Sequence, residues 1–215
     1  MRVILPAIAS SILALSVCGS ARANSEHAPA SAQPASSSKL SATQAAMRDL
    51  WVGHIFWVRE VVRNMADKDG AATEVAEGRV VQNARRIAGA IEPFYGKAAS
   101  DALFDLLAGH YTAVKSHATA TLAGDSAAAN AAFDQLVANA NEISEFLSKA
   151  NPHLPQNTLR SLLVAHGGHH VQQNQQIAKG DAAAEARTWE QMLEHIYGIS
   201  DALVGALAAQ FPAKF

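Results

Sequence analysis

A five-residue phrase returns twice in this chain without a gap between copies. Leu50-Trp51-Val52-Gly53-His54 comes back as Leu106-Leu107-Ala108-Gly109-His110 and again as Leu162-Leu163-Val164-Ala165-His166. The histidines recur every 56 residues. Four other columns keep the same step: Met47/Leu103/Leu159, Asp69/Asp125/Asp181, Asn83/Asn139/His195 and Ile87/Ile143/Ile199. One supersecondary unit is therefore used three times, and its polar columns are where function is to be sought.

Each unit reads as a helical hairpin. Met47, Leu50, His54, Trp57/Val58, Val61 and Met65 follow steps of three and four, the stripe of an amphipathic helix. A second stripe, Ala76, Val80, Asn83, Ile87 and Ile91, follows the break Asp67-Lys68-Asp69-Gly70. In the later copies the breaks are Ala123-Gly124-Asp125 and Lys179-Gly180-Asp181. There the glycine suits a left-handed C-terminal cap and the aspartate an N-cap. Asp69 holds the same column in the first copy, where Gly70 follows it. Pro93-Phe94-Tyr95-Gly96 and Asn151-Pro152-His153-Leu154-Pro155 join the hairpins, since proline ends helices. The expectation is an all-α up-down bundle of six helices in three antiparallel hairpins, from about Ser41 to Ala208.

The ends point to export. Arg2, an apolar run from Val3 to Val17 and Ala21-Arg22-Ala23 form a secretory signal peptide over residues 1–23. The run is shorter than the roughly 20 residues of a spanning helix. Residues 24–40, rich in Ala, Ser and Pro, read as a disordered tether, and 41–215 as the bundle domain. This places the protein in the periplasm or outside the cell. The alternative is a lipoprotein anchored through Cys18, although Val17 is bulky for a lipoprotein box. Cleavage after Ala23 removes Cys18, the only cysteine, and with it disulfides, thiolate sites and covalent haem. It also removes Arg2 and Arg22 and takes the formal charge from −2 to −4. With no basic run, nucleic acid is not an expected partner.

Spacing then becomes geometry. His54 lies 15 residues before Asp69 and Asn83 lies 14 after it, so an antiparallel hairpin sets them at one height. The same holds for His110 with Asn139 and for His166 with His195. All six sit on apolar stripes. A buried imidazole or amide without a partner costs roughly 1–3 kcal/mol. The layer of His54, Asn83, His110, Asn139, His166 and His195 must therefore be satisfied from within, by water or by something bound. One reading is a self-satisfied layer, histidine to amide across each hairpin, that sets register. The other is a site for a transition metal (copper, zinc or nickel) or a small ligand. Companion histidines place that site in copies two and three: His110, His117, His166, His170 and His195, with His166/His170 spaced to grip one ion from a single helix. His54 has no such companions, so the expected site leaves it out. His169 or His170 is expected to face solvent.

Other chemistries find less support. The di-iron pattern Glu-x-x-His, His-Glu-x-x-His, phosphate loops and Gly-x-Ser-x-Gly are absent. Glu60, Glu142 and Asp201 lie near the layer but read as solvated or helix-pairing acids. Arg59, Arg79 and Lys115 read as snorkelling surface residues. A non-enzymatic binding module leads. A register-setting structural bundle is its competitor, and a histidine-dependent enzyme or noncovalent haem protein is the weaker alternative.

The stretches Leu50-Trp51-x-x-His54-x-x-Trp57-x-Arg59, Val80-Val81-Gln82-Asn83, Asn139-Ala140-Asn141-Glu142-Ile143-x-x-Phe146-Leu147, Asn151-Pro152 and Gln210-Phe211-Pro212 resemble an uncharacterised family of small bacterial helical proteins. The resemblance covers most of the region after the tether and implies a helical fold with no known activity. Where that pattern has a threonine before the arginine of the first helix, this chain has Val58.

Overall fold

A computed structural model describes residues 35–215, and every regular element among them is helical. The proposed signal peptide, Cys18 and most of the tether lie outside the described residues. Six long helices make the three hairpins: α1 (Ala35–Ala66) with α2 (Gly70–Gly89), α4 (Lys97–Leu122) with α5 (Ser126–Ala150), and α6 (Gln156–Lys179) with α7 (Ala182–Gln210). A single turn, α3 (Glu92–Tyr95), sits in the first connection, and a 3₁₀ turn, Pro212–Lys214, follows α7. Helix α1 starts at Ala35, inside the segment read as tether. Leu40 packs on the core cluster that holds Met47 and Trp51, which anchors the first turns.

The three hairpin turns are built alike. Asp69, Asp125 and Asp181 each accept a hydrogen bond at 2.9 Å, from the backbone N–H of Ala72, Ala128 and Ala184. The first copy's cap is thus the same as the others, and Gly70 is simply the first helical residue. The residue before each aspartate is left-handed: Lys68 at φ 60°, Gly124 at 74° and Gly180 at 68°. Lysine occupies a conformation that glycine adopts without steric cost.

The hairpins close into a ring. Helices α1, α4 and α6 touch one another around a central axis. Helix α2 fills the notch between α1 and α4, α5 that between α4 and α6, and α7 that between α6 and α1. The last helix thus packs against the first. Arg48 pairs with Asp201 and Arg59 with Glu185 across that seam. At the far end Tyr95 donates to Gln210 at 2.7 Å and accepts from Asn151 at 3.0 Å. Phe94 stacks with Phe215 beside Phe211.

Equivalent positions of the inner helices form layers along the axis. Met47, Leu103 and Leu159 come first, then Trp51, Leu107 and Leu163; together they line an apolar cavity of about 40 Å³. The histidine layer follows. Beyond it the copies diverge, though every residue stays buried. Val58 and Val114 are matched by His170, Val61 by His117 and Gln173, and Val62 by Ala118 and Asn174. The axis is therefore apolar and threefold-like on one side of the histidines, and polar and asymmetric on the other.

Candidate metal centre

Each inner helix brings its repeat histidine to the axis because the histidine lies on the buried stripe. His54, His110 and His166 are 5%, 5% and 1% exposed. The threefold pattern breaks one turn later, where α6 carries His170 in place of valine; it is 1% exposed. One nitrogen from each of these four rings lies within 4.8 Å of the other three. The Nε2 atoms of His166 and His170 are 3.1 Å apart, and those of His166 and His54 are 3.4 Å apart. His110 stacks on His166 at 5.6 Å with planes inclined by 16°. Trp51 meets His54 and His166 edge-on.

Burial governs their protonation. It pushes His54 down to about 3, helped by neighbouring His110. It pushes His110 down to about 4, an effect the Asn139 side chain partly offsets. His166 and His170 are lowered further, by burial first and then by the surrounding imidazoles. All four rings are neutral at physiological pH and hold lone pairs ready for an ion. The protein satisfies few of them. Both nitrogens of His110, and the Nδ1 atoms of His166 and His170, are buried without a hydrogen-bond partner.

The amide column does a different job from the one expected. Asn83 donates to the carbonyl of Leu50 at 2.9 Å, and Asn139 to that of Leu106 at 3.0 Å. His195 Nε2 makes the same bond to Leu162 at 2.9 Å. Each of these carbonyls lies four residues before a repeat histidine, so it also faces that histidine's backbone N–H in the helical ladder. The hairpin register is as the spacing implied. The amides bond to backbone, and Asn139 in addition stands close enough to His110 to favour its charged form.

The four-histidine group also differs from the set read from the sequence. His54 belongs to it. His117 and His195 lie outside it. His117 sits on α4 two turns beyond His110; its Nδ1 faces Asn174 Nδ2 at 3.0 Å and Thr121 Oγ1 at 3.4 Å. His195 bonds through Nε2 to Leu162 and meets His169 edge-on, centroids 5.2 Å apart. His170 is buried, and His169 is the more exposed of the adjacent pair. Counting companion histidines within a copy misses His54, because ring closure gathers one residue from every copy on the axis.

A buried acid, the only one among the described residues, escaped sequence reading. Glu185, 5% exposed, takes a bidentate grip from Arg59 at 2.5 and 2.6 Å and a bond from Gln173 at 2.8 Å. Arg59 holds its carboxyl below the usual range. Arg59 is therefore a seam residue rather than a snorkelling one. The stripe Glu185, Thr188, Met192, Ile196, Ile199 was the available signal, extended by one turn. Asp201 pairs with Arg48, Lys115 with Glu77, and Glu142 is exposed.

Comparison of the chain with protein-family models, with curated proteins and with solved structures finds no match. Among the described residues no helix is long and apolar enough to cross a membrane.

Proposed function

We propose that this chain is an exported, non-enzymatic metal-binding bundle that holds one transition-metal ion through His54, His110, His166 and His170. One observation carries the reading: four buried neutral imidazoles converge, with the Nε2 atoms of His54, His166 and His170 turned on one another and both nitrogens of His110 without a partner. A layer evolved only to set register would pair His110, since each orphan costs roughly 1–3 kcal/mol. The donor set fits. Metal–nitrogen bonds of about 2.0–2.1 Å give a tetrahedron with edges of about 3.3–3.4 Å. The two short Nε2 separations, 3.1 and 3.4 Å, match that edge. A nitrogen of His110 lies within 4.8 Å of the other three and supplies the fourth corner.

Imidazole-only ligation suits zinc and copper. Among the three metals considered, nickel and Cu(II) favour square-planar or tetragonal sites, so Zn(II) or Cu(I) fits four converging rings best. Four protein ligands leave no open position for a substrate, which supports binding over catalysis. Rings stacked 5.6 Å apart leave no slot for a haem between His110 and His166. The charged start, apolar run and Ala21-Arg22-Ala23 support export, with the lipoprotein anchor at Cys18 as the alternative.

The test is metal content. Untagged protein recovered from its native compartment is expected to carry close to one zinc or copper per chain by elemental mass spectrometry. Protein purified without chelator yet free of transition metal would remove the reading and leave the structural bundle.

A further inference from the structure

Two more histidines lie beside the centre, on the outer side of α6, and neither belongs to it. His169 and His195 meet edge-on at 5.2 Å and 88°. Both are half-buried, whereas the four central rings are closed off. His195 donates through Nε2 to the carbonyl of Leu162. A carbonyl only accepts, so Nε2 carries a proton and Nδ1 is the atom that can offer a lone pair. Asparagine makes the same bond in the other two copies. The bond therefore does not require a histidine, and what His195 adds is a metal-ligating lone pair. His169 Nδ1 is buried and has no partner, so it is free to offer another. The first two copies carry Trp57 and Ala113 at that position. Gly168, next in sequence to His169, faces open space where a side chain would stand. His169 also sits between two central ligands, His166 and His170, on one helix.

We propose that His169 and His195 form a second, half-exposed cation station, which takes up the ion from solvent and passes it to His166 in the buried centre. The inference rests on the four-histidine reading. The chemistry is ligand exchange alone. A hydrated first-row ion in the +1 or +2 state trades water for two imidazoles at the surface. It then trades those imidazoles, one at a time, for the buried rings. No electron transfer is needed, and a central ring whose Nε2 carries the proton moves it to Nδ1 as it takes the ion.

The repeat supplies its own control. Ala165→Gly with His195→Asn and His169→Ala rewrites the third copy with the residues of the second, Gly109, Asn139 and Ala113. The bond to Leu162 is kept, and the glycine makes room for the asparagine. The probe is Co(II), whose visible absorption reports four-nitrogen ligation, mixed with metal-free protein in stopped flow. Wild type is expected to fill the centre and to bind a second, weaker equivalent. The rewritten protein is expected to lose the weak equivalent and to fill the centre about tenfold more slowly or worse, with its equilibrium affinity little changed. Filling at the wild-type rate overturns the station and leaves the centre standing. Failure of wild-type protein to bind Co(II) or Zn(II) at all overturns both.

Discussion

Asn83 reaches the carbonyl of Leu50 only because residue 53 has no side chain. A methyl group there would stand 3.0 Å from Asn83 Nδ2, and one at Gly109 would stand 3.3 Å from Asn139 Nδ2. In the third copy the small residue is Ala165 and the partner is His195, whose longer side chain makes the same bond. Glycine and asparagine therefore go together, and alanine goes with histidine. Gly53→Ala gains about 1 kcal/mol of helix propensity and forfeits a buried hydrogen bond costing about 1–3 kcal/mol. A net loss of about 1 kcal/mol is expected in urea denaturation, with Gly109→Ala close to neutral. Adding Asn83→His to Gly53→Ala recovers stability, since it rebuilds the third-copy pair. Equal losses at Gly53 and Gly109 with no rescue would contradict this account. The glycines were visible in the repeat. Their purpose was not, because sequence spacing sets heights and does not say which atom an amide meets.

Between elements, α1 meets α7 and α6, which the linear order of hairpins does not bring together, and the α1–α7 seam is the wider of the two contacts. Its two ion pairs differ in burial. The side chains of Arg59 and Glu185 are 19% and 7% exposed, those of Arg48 and Asp201 42% and 35%. Removing one partner of a buried pair strands a charge and costs about 3–5 kcal/mol, whereas an exposed pair is worth about 0–1 kcal/mol. Arg59→Met is expected to cost about 3 kcal/mol by urea denaturation, and Arg48→Met less than about 1 kcal/mol. Similar losses would show that Glu185 is not held as described. The helices, their caps and the hairpin pairing were legible from stripes, aspartates and glycines. Ring closure was not, because nothing in a 3.6-residue period says whether three hairpins lie in a row or curl onto the first. That gap accounts for both the omission of His54 from the expected site and the reading of Arg59 as a surface residue.

At the scale of the whole molecule, the histidine cluster ties stability to pH and to metal. The folded rings of His54 and His110 titrate near 3 and 4, against about 6.5 in the unfolded chain. Below pH 6.5 the unfolded state therefore binds more protons, and stability falls as pH falls toward those folded values. Each such histidine removes about 1.4 kcal/mol per pH unit. His54 and His110 alone take about 3 kcal/mol between pH 6.5 and 5, and His166 and His170 act in the same direction. Metal-free protein is expected to unfold cooperatively on mild acidification; a flat stability profile from pH 7 to 5 would contradict the buried neutral cluster. The most direct test of the central claim is the thermal midpoint at neutral pH, with and without excess Zn(II), for wild type and for His→Ala variants. An ion at about 1,000 times its dissociation constant adds about 4 kcal/mol, a rise of roughly 10 °C for a domain of this size. The rise is expected in wild type and in His117→Ala, and is expected to vanish in His54→Ala as fully as in His110→Ala, His166→Ala and His170→Ala. A wild-type midpoint that zinc and copper leave unmoved, or a rise that survives in His54→Ala, would contradict it.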